Sequence, residues 1–362
     1  MSVNYRFSVA ETLLGMKWGD RYNVIEFGAP SPGSLDLPLW LARPDVGVLT
    51  VIGREHYSQY GSLEAIAREK GKLVLRLPAD GVAVLNRDDP LVRGVGEQFT
   101  GRKIWIGSDA GATLRLLKVR SVWPEPLVLT VEHNGVSAEV ATRLHGEHLA
   151  LPVLTALGVA LALDVPLERA IAAISHAEPT EGRMQVLEEP DGVVFVRDDW
   201  KAPHWSLDAP FKFMADAKAT RKIIVLGTIS DSRLGPSQRY PRAARAAREV
   251  ADLVLCVGMD AFTVKRSRFD SDSDAVRVFA DLQQASVFLK EYLVPGDLVL
   301  IKGTNLQDHL VRLLLDRRRS VTCWRVDCGR NDFCDHCEKV REQEFDTADS
   351  LIFRNDVSNS GV

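Results

Sequence analysis

The sequence has no long hydrophobic run. Nowhere do eighteen apolar residues follow one another, so no transmembrane helix is expected. It also lacks a basic start followed by an apolar stretch, so MSVNYRFSVAETLLGMKWGD does not read as a secretory leader. Neither sign of charge dominates: a net charge of −4 gives no global reason to expect nucleic acid or an anionic membrane as a partner. These absences leave a cytoplasmic protein as the expectation. Cysteine is scarce, with 5 in all, yet Cys323, Cys328, Cys334 and Cys337 crowd together near the end. In a cytoplasmic chain such a cluster favours metal over disulfides. What is present is an ordinary globular balance, 46% hydrophobic and 26% charged over 362 residues, enough for two domains and a tail.

The first half alternates strand and helix patterns. VIEF (24–27), VGVLTVI (46–52) and GVAVLN (81–86) read as short buried strands. SLEAIAREKGKLVL (62–75) reads as a helix with Ser62 as N-cap, ended by Gly71, with KLVL opening a strand. From about 103 to 143, KIWIG, LRLLKV, LVLTVEHNG and VSAEVATRL suggest a small antiparallel sheet with a hairpin at Asn134-Gly135. Helices are expected at 147–164 and 167–177, despite Pro152. After a junction at 179–192, strands at 192–198, 222–227, 252–258 and 297–303 alternate with helices at 206–217, 237–250, 280–292 and 305–317. That is a second, doubly wound α/β unit. The end, FRNDVSNSGV, is expected to be disordered.

Several stretches resemble, in order and spacing, the Mur ligases, which add amino acids to peptidoglycan precursors. They are IEFGAPSPGSL (25–35), ARPDVGVLTVIGREHYSQYGSLEAIAREKGKL (42–73), GVAVLNRDDP (81–90), LHGEH (144–148), EGRMQV (181–186), RDDW (197–200), VLGTISD (225–231) and VLIKGTN (299–305). The branch most resembled adds D-Ala-D-Ala to the UDP-muramoyl tripeptide. The resemblance implies an α/β fold in two parts. Residues 1–180 would be a P-loop-NTPase-like central domain, truncated at its start and carrying the small antiparallel sheet. Residues 181–320 would be a Rossmann-like C-terminal domain, and 321–362 a Cys-rich extension with a disordered tail. The family's Gly-rich loop ending in Gly-Lys-Thr or Gly-Lys-Ser, whose backbone N–H groups cradle phosphate, is missing from the sequence. The segment at 2–14 resembles family sequence lying just after the helix of that loop, so a P-loop is expected from an upstream part of the gene or from a separate subunit.

The resemblance also assigns roles. Glu26, His56 and Lys70 would hold Mg²⁺, with His56 and Lys70 taking part at the reaction centre and Lys70 carbamylated. An exposed lysine has a pKa of ~10.4, so that modification needs a setting favouring the free amine. A surface lysine in AREKGK is the plainer reading of Lys70, and Lys72 is the local alternative. Asn86, with Asp89, His148, Arg183 and Asp198 would face ATP; strand-end turns and a salt bridge explain Asn86, Arg183 and Asp198 equally well. The register of Asp198 against Asp199 is open. Lys302 would face the incoming amino acid. Two departures affect the nucleotide: Leu149 and Pro152 replace asparagines that offer hydrogen bonds to adenine, and WKAPH (200–204) replaces a polar run.

The tail spacing, C-x4-C-x5-C-x2-C, suits tetrahedral Zn²⁺ on Cys323, Cys328, Cys334 and Cys337, with His336 as a substitute ligand; reduced free cysteines are the other reading. The functional expectation is ATP-dependent amide formation between a small-molecule or peptide carboxylate, activated as an acyl phosphate, and an amino-acid or peptide amine. Its cofactors would be ATP and Mg²⁺. The alternative is a non-catalytic relative, or one subunit of a split ligase.

Overall fold

In the computed structural model, the short β-branched runs pair into two six-stranded sheets, each the centre of its own unit. The structure describes residues 6–232, 234–266, 275–326, 328–330 and 332–341. The expected disordered end at 353–362 lies outside them. No helix among the described residues is long and apolar enough to cross a membrane.

The first unit runs to Thr180, with Asp216–Lys218. Its helices and strands are α1 (Arg6–Leu14), α2 (Asp36–Ala42), β1 (Val46–Leu49), α3 (Tyr57–Tyr60), α4 (Leu63–Leu75), β2 (Val82–Asn86), α5 (Pro90–Gln98), β3 (Arg102–Gly107), β4 (Leu114–Arg120), β5 (Val128–His133), β6 (Val136–Ala141), α6 (Ala150–Ala162) and α7 (Leu167–Ile174). The strands lie in chain order across one sheet. Helices α4 and α5 cover one face through Ile66, Val74, Val92 and Val95, and α6 covers the other through Val153, Leu154 and Leu157.

Four expectations need correction here. The run 24–27 is not a strand: Val24 and Glu26 are exposed, and no described strand pairs with the run to complete its backbone hydrogen bonds. Gly71 does not end a helix. It lies inside α4, where a Cβ would come within 3.0 Å of Val95, so its small size serves close packing against α5. KLVL therefore completes the helix. KIWIG belongs to the parallel part of the sheet: β3 pairs parallel with β2 and with β4, and only β4–β5–β6 are antiparallel. The small antiparallel sheet is thus an extension of the main one. The Asn134-Gly135 hairpin forms as expected, with φ of 51° and 76°. Pro152 is tolerated because it sits in the first turn of α6, where N–H groups have no helical partner.

The second unit holds β7 (Gln185–Glu188), β8 (Val194–Asp198), α8 (Asp208–Asp216), β9 (Arg221–Leu226), α9 (Pro236–Arg248), β10 (Leu253–Val257), α10 (Phe262–Arg266), β11 (Val276–Phe279), α11 (Leu282–Tyr292), β12 (Asp297–Lys302), α12 (Asn305–Asp308) and α13 (Arg312–Arg318). The order is β11-β10-β9-β12-β8-β7, all parallel except β7. Strands β7 and β11 escape the sequence pattern because each is four residues long and alternates with charge. The helix expected over 305–317 is broken at His309, which adopts a left-handed φ of 51°. The tail packs on this unit: Val311, Leu315, Val321, Phe333, Cys334 and Val340 form one apolar cluster.

Helix α5 carries two glycines with opposite surroundings. A Cβ on Gly96 would stand 2.4 Å from Trp105 and 2.5 Å from Leu85, whereas one on Gly94 meets nothing within 4 Å. We expect Gly96→Ala to destabilise the first unit by ~1–3 kcal/mol through overpacking. Gly94→Ala should instead stabilise it by up to ~1 kcal/mol through helix propensity. Urea unfolding of both variants checks the pair.

Candidate active-site residues

In the first unit, the expected metal end is built around α4. Ser62 caps the helix by accepting from Ala65 N–H at 3.1 Å, and the buried Glu69 accepts from Gly33 N–H (2.9 Å) and Leu35 N–H (3.1 Å). The loop before α2 is thereby tied to the helix. Lys72 pairs with Glu69 at 2.9 Å and Asp36 at 3.0 Å. Partial burial alone would lower the Lys72 ammonium, but these two carboxylates more than offset that and raise it. Lys72 is held protonated and is no competitor for a reaction that needs a free amine. Lys70, half-buried on the same helix, pairs with no carboxylate among the described residues. His56 is exposed at a left-handed φ of 53° just before α3, and Glu26 is exposed on the irregular segment. The structure does not gather Glu26 and His56 into a ligand set. Among the described residues, the trio of His, Cys, Asp or Glu ligand atoms within 4.8 Å of one another is Glu181, Asp335 and His336.

Asn86 and Asp89 do structural work. Asn86 accepts from Asp88 N–H at 3.0 Å. Asp89 caps α5 through Leu91 and Val92 and accepts from Ile52 N–H at 2.9 Å, joining the ends of β1 and β2. His148 is exposed in a 3-10 turn, Glu147–Leu149, and its ring lies where a Cβ on Gly146 would be 2.6 Å away.

In the second unit, parallel register sets Lys302 of β12 beside Asp198 of β8, and the two pair at 2.7 Å. Lys302 is 2% exposed, and burial lowers its ammonium against the pull of Asp198. It also donates to Lys201 O at 3.0 Å. Asp198 and Lys302 are thus brought together, while Arg183 stays exposed nearby in sequence to Glu181. Asp199 points the other way and is fully buried against Arg197 at 3.3 Å, so the two aspartates have separate partners. Burial pushes the Asp199 carboxyl up to about 6, with Arg197 opposing the rise.

Two features were not visible in the sequence. One is Asp308, which accepts from Thr228 N–H and Oγ1 (both 2.6 Å) and Thr304 N–H (2.7 Å). It clamps the loops after β9 and β12, and a Cβ on Gly227 or Gly303 would stand 2.3 or 2.5 Å from its carboxylate. The matching Gly-Thr pairs at 227–228 and 303–304 are the signal that could have found it. The other is Arg197, 1% exposed, which meets Asp335 at 2.7 Å, Asp199 at 3.3 Å and Glu181 at 3.4 Å, with Phe333 under its guanidinium. The tail thereby docks one residue away from Asp198. His336 pairs with Glu181 at 2.9 Å and is not among the cysteines, which corrects its expected place as a substitute zinc ligand. Three of the cysteines instead stand around His309 and Arg312: Cys328 and Cys334 lie 3.4 and 3.6 Å from the His309 ring nitrogens, and Arg312 donates to Cys334 and Cys323, while Cys337 meets Arg330 at 3.6 Å.

The Mur ligase middle domain matches residues 1–160, and the Mur ligase glutamate ligase domain matches residues 182–305. This chain belongs to the Mur ligase family. It is similar to the UDP-N-acetylmuramoyl-tripeptide--D-alanyl-D-alanine ligase of Mycobacterium tuberculosis, with 28% identity over 78% of this chain and 60% of that protein. The Escherichia coli enzyme of the same name is 24% identical over 84% of this chain and 67% of that protein. The chain thus spans about 60% of the length of the mycobacterial relative. Crystal structures of MurF from Acinetobacter baumannii (TM-score 0.78, 21% identity, 88% of this chain and 69% of that one) and of MurF ligase from Thermotoga maritima with ADP (TM-score 0.74, 19% identity, 88% and 72%) share the fold. This chain thus has the scaffold of the Mur ligase middle and C-terminal domains.

Two outcomes test the second unit. Lys302→Met leaves Asp198 without its cation and should destabilise by ~3–5 kcal/mol, with most of the loss recovered in Lys302→Met/Asp198→Leu. A double-mutant cycle in urea reads this. The second concerns pH. The folded Asp199 pKa, about 6, lies above the usual carboxylate value, so the folded state binds more protons between about pH 4 and 6. Stability should fall by up to about 3 kcal/mol as pH rises through that window. His336, raised by Glu181, acts in the same direction: its contribution is present below the ordinary histidine range and is lost above its folded pKa. Asp199→Asn should flatten the lower part of the profile, and unchanged urea midpoints across the window in the wild type would refute the assignment.

Proposed function

We propose that this chain supplies the metal-binding and acceptor-side parts of an ATP-dependent carboxylate–amine ligase, and that its P-loop comes from another segment or subunit. The observation that carries the reading is the division of charge on α4: Glu69 and Asp36 hold Lys72, while no described carboxylate pairs with Lys70. Lys70 is the lysine free to take up CO₂ as a carbamate. Glu26, His56 and the Lys70 carbamate offer oxygens and one imidazole nitrogen, a donor set suited to a hard cation. These residues would hold Mg²⁺, which when bound neutralises charge on phosphoryl oxygens. The ADP in the Thermotoga maritima relative supports a nucleotide in the same reaction.

The relatives' name points to a UDP-N-acetylmuramoyl tripeptide as carboxylate and D-Ala-D-Ala as amine. The carboxylate attacks the γ-phosphorus of ATP, releasing ADP and forming an acyl phosphate. The amine then attacks the acyl carbon, phosphate leaves, and the amine loses a proton. Lys302, buried and paired with Asp198, stands at the carboxyl end of the second sheet, the edge where α/β sheets take ligands. It would orient an anionic group of the acceptor.

A second reading is a non-catalytic relative. It is favoured by Leu149 and Pro152, apolar residues at the start of α6 where the family offers amides to adenine. One experiment separates the two. The chain is incubated with ATP, Mg²⁺, the UDP-muramoyl tripeptide and D-Ala-D-Ala, with and without a P-loop-bearing protein encoded next to it. Phosphate release and a mass gain of one dipeptide less water, dependent on both proteins and reduced ~10²-fold or more by Lys70→Ala, support the ligase. No ATP binding by calorimetry and no product in any mixture establish the non-catalytic reading.

A further inference from the structure

We infer that Cys328, Cys334, Cys337 and His309 form a Zn²⁺ site that fastens the C-terminal segment to the second unit. Arg312 stands between two of the cysteines. Its guanidinium is 2% exposed, and its three nitrogens donate to Cys334 Sγ (3.1 Å), Arg325 O (2.6 Å) and Cys323 Sγ (3.8 Å). No Asp or Glu among the described residues pairs with it, so a buried permanent cation stands among neutral acceptors. Buried charges persist only when an opposite charge meets them. Zn²⁺ on three thiolates and a neutral imidazole carries one net negative charge, which balances Arg312 directly.

The second observation is His309. It is 1% exposed at a left-handed φ of 51°, a strained conformation for a residue other than glycine. This break between α12 and α13 sets its ring among the sulfurs, Nε2 3.4 Å from Cys328 and Nδ1 3.6 Å from Cys334. Cys337 follows Cys334 through a 3-10 turn, with its N–H on Cys334 O. Cys323, whose thiol meets Arg312 at 3.8 Å and whose N–H bonds Val340 O, is left out of the set because no contact joins its sulfur to His309.

The thiols stand further apart than coordination requires, since the trio with atoms within 4.8 Å is Glu181, Asp335 and His336. Arg197 already serves those carboxylates. Closure rotates the cysteine side chains towards one ring nitrogen, and the three thiols release their protons to solvent as Zn–S bonds form. The ion would then pin 328–337, and with it Phe333 and Asp335 on Arg197.

This site is independent of the ligase reading, and its test uses no activity. Full-length protein is purified under reductant and its zinc measured. About one equivalent is expected in the wild type and in Cys323→Ser, and less than about a tenth in Cys334→Ser and Cys337→Ser. Co²⁺ added to metal-stripped wild type should give a tetrahedral spectrum with thiolate charge-transfer bands, which keeps the test open if a variant fails to fold. Wild type that takes up neither metal, full zinc in a folded Cys334→Ser, or zinc lost from Cys323→Ser as completely as from Cys334→Ser would each overturn the proposal.

Discussion

The Arg197 guanidinium is the contact on which the second unit's arrangement turns. Taken out of water at the end of β8, it needs anions on several sides, and it finds them in Glu181, Asp199 and Asp335. These three come from the start of the unit, the strand end and the tail. One buried charge therefore decides where the tail lies, and it decides this one residue from Asp198. Phe333, which stacks beneath the guanidinium, fills the space left by Gly182. Burial is what raises the Asp199 carboxyl, and its bond to Glu181 is what raises the His336 imidazole.

The same requirement recurs along the carboxyl edge of the second sheet. Lys302 and Asp198 neutralise each other across adjacent strands, and Asp308 is satisfied by N–H and hydroxyl donors from two loops. In the first unit Glu69 does comparable work: its oxygens collect two backbone N–H groups and Lys72, holding the loop before α2 against α4. These are costly groups to bury, and each is matched. Of the fully buried cations among the described residues, Arg312 is the one without an anionic partner, which is why it points to something the polypeptide does not itself provide.

As a member of the Mur ligase family, the chain keeps the family scaffold. Strand-end polar residues and Lys72 of α4 are tied into ion pairs and backbone hydrogen bonds that hold the fold. The start of α6, by contrast, is apolar where hydrogen-bonding amides were expected.

Much of the fold was readable from the sequence because hydrophobic period and length report burial. The long β-branched runs at 46–52, 81–86, 252–258 and 297–303, the Ser62 cap and the Asn134-Gly135 turn all encode local geometry. Errors arose where a neighbour decided the outcome. Gly71 continues a helix because Val95 packs on it, and 24–27 is not a strand because none pairs with it. The sites divide in the same way. Lys70, Asp198, Lys302 and the cysteines could be named from motif and spacing alone. That Lys72 is held by two carboxylates, that Asp198 meets Lys302 while Asp199 meets Arg197, and that His309 rather than His336 stands among the thiols depended on contacts between residues far apart in the chain. Sequence by itself determined which groups were present and which local shapes they preferred. Only the tertiary structure decided their partners, because the energy of a buried charge depends on what lies within a few ångströms of it.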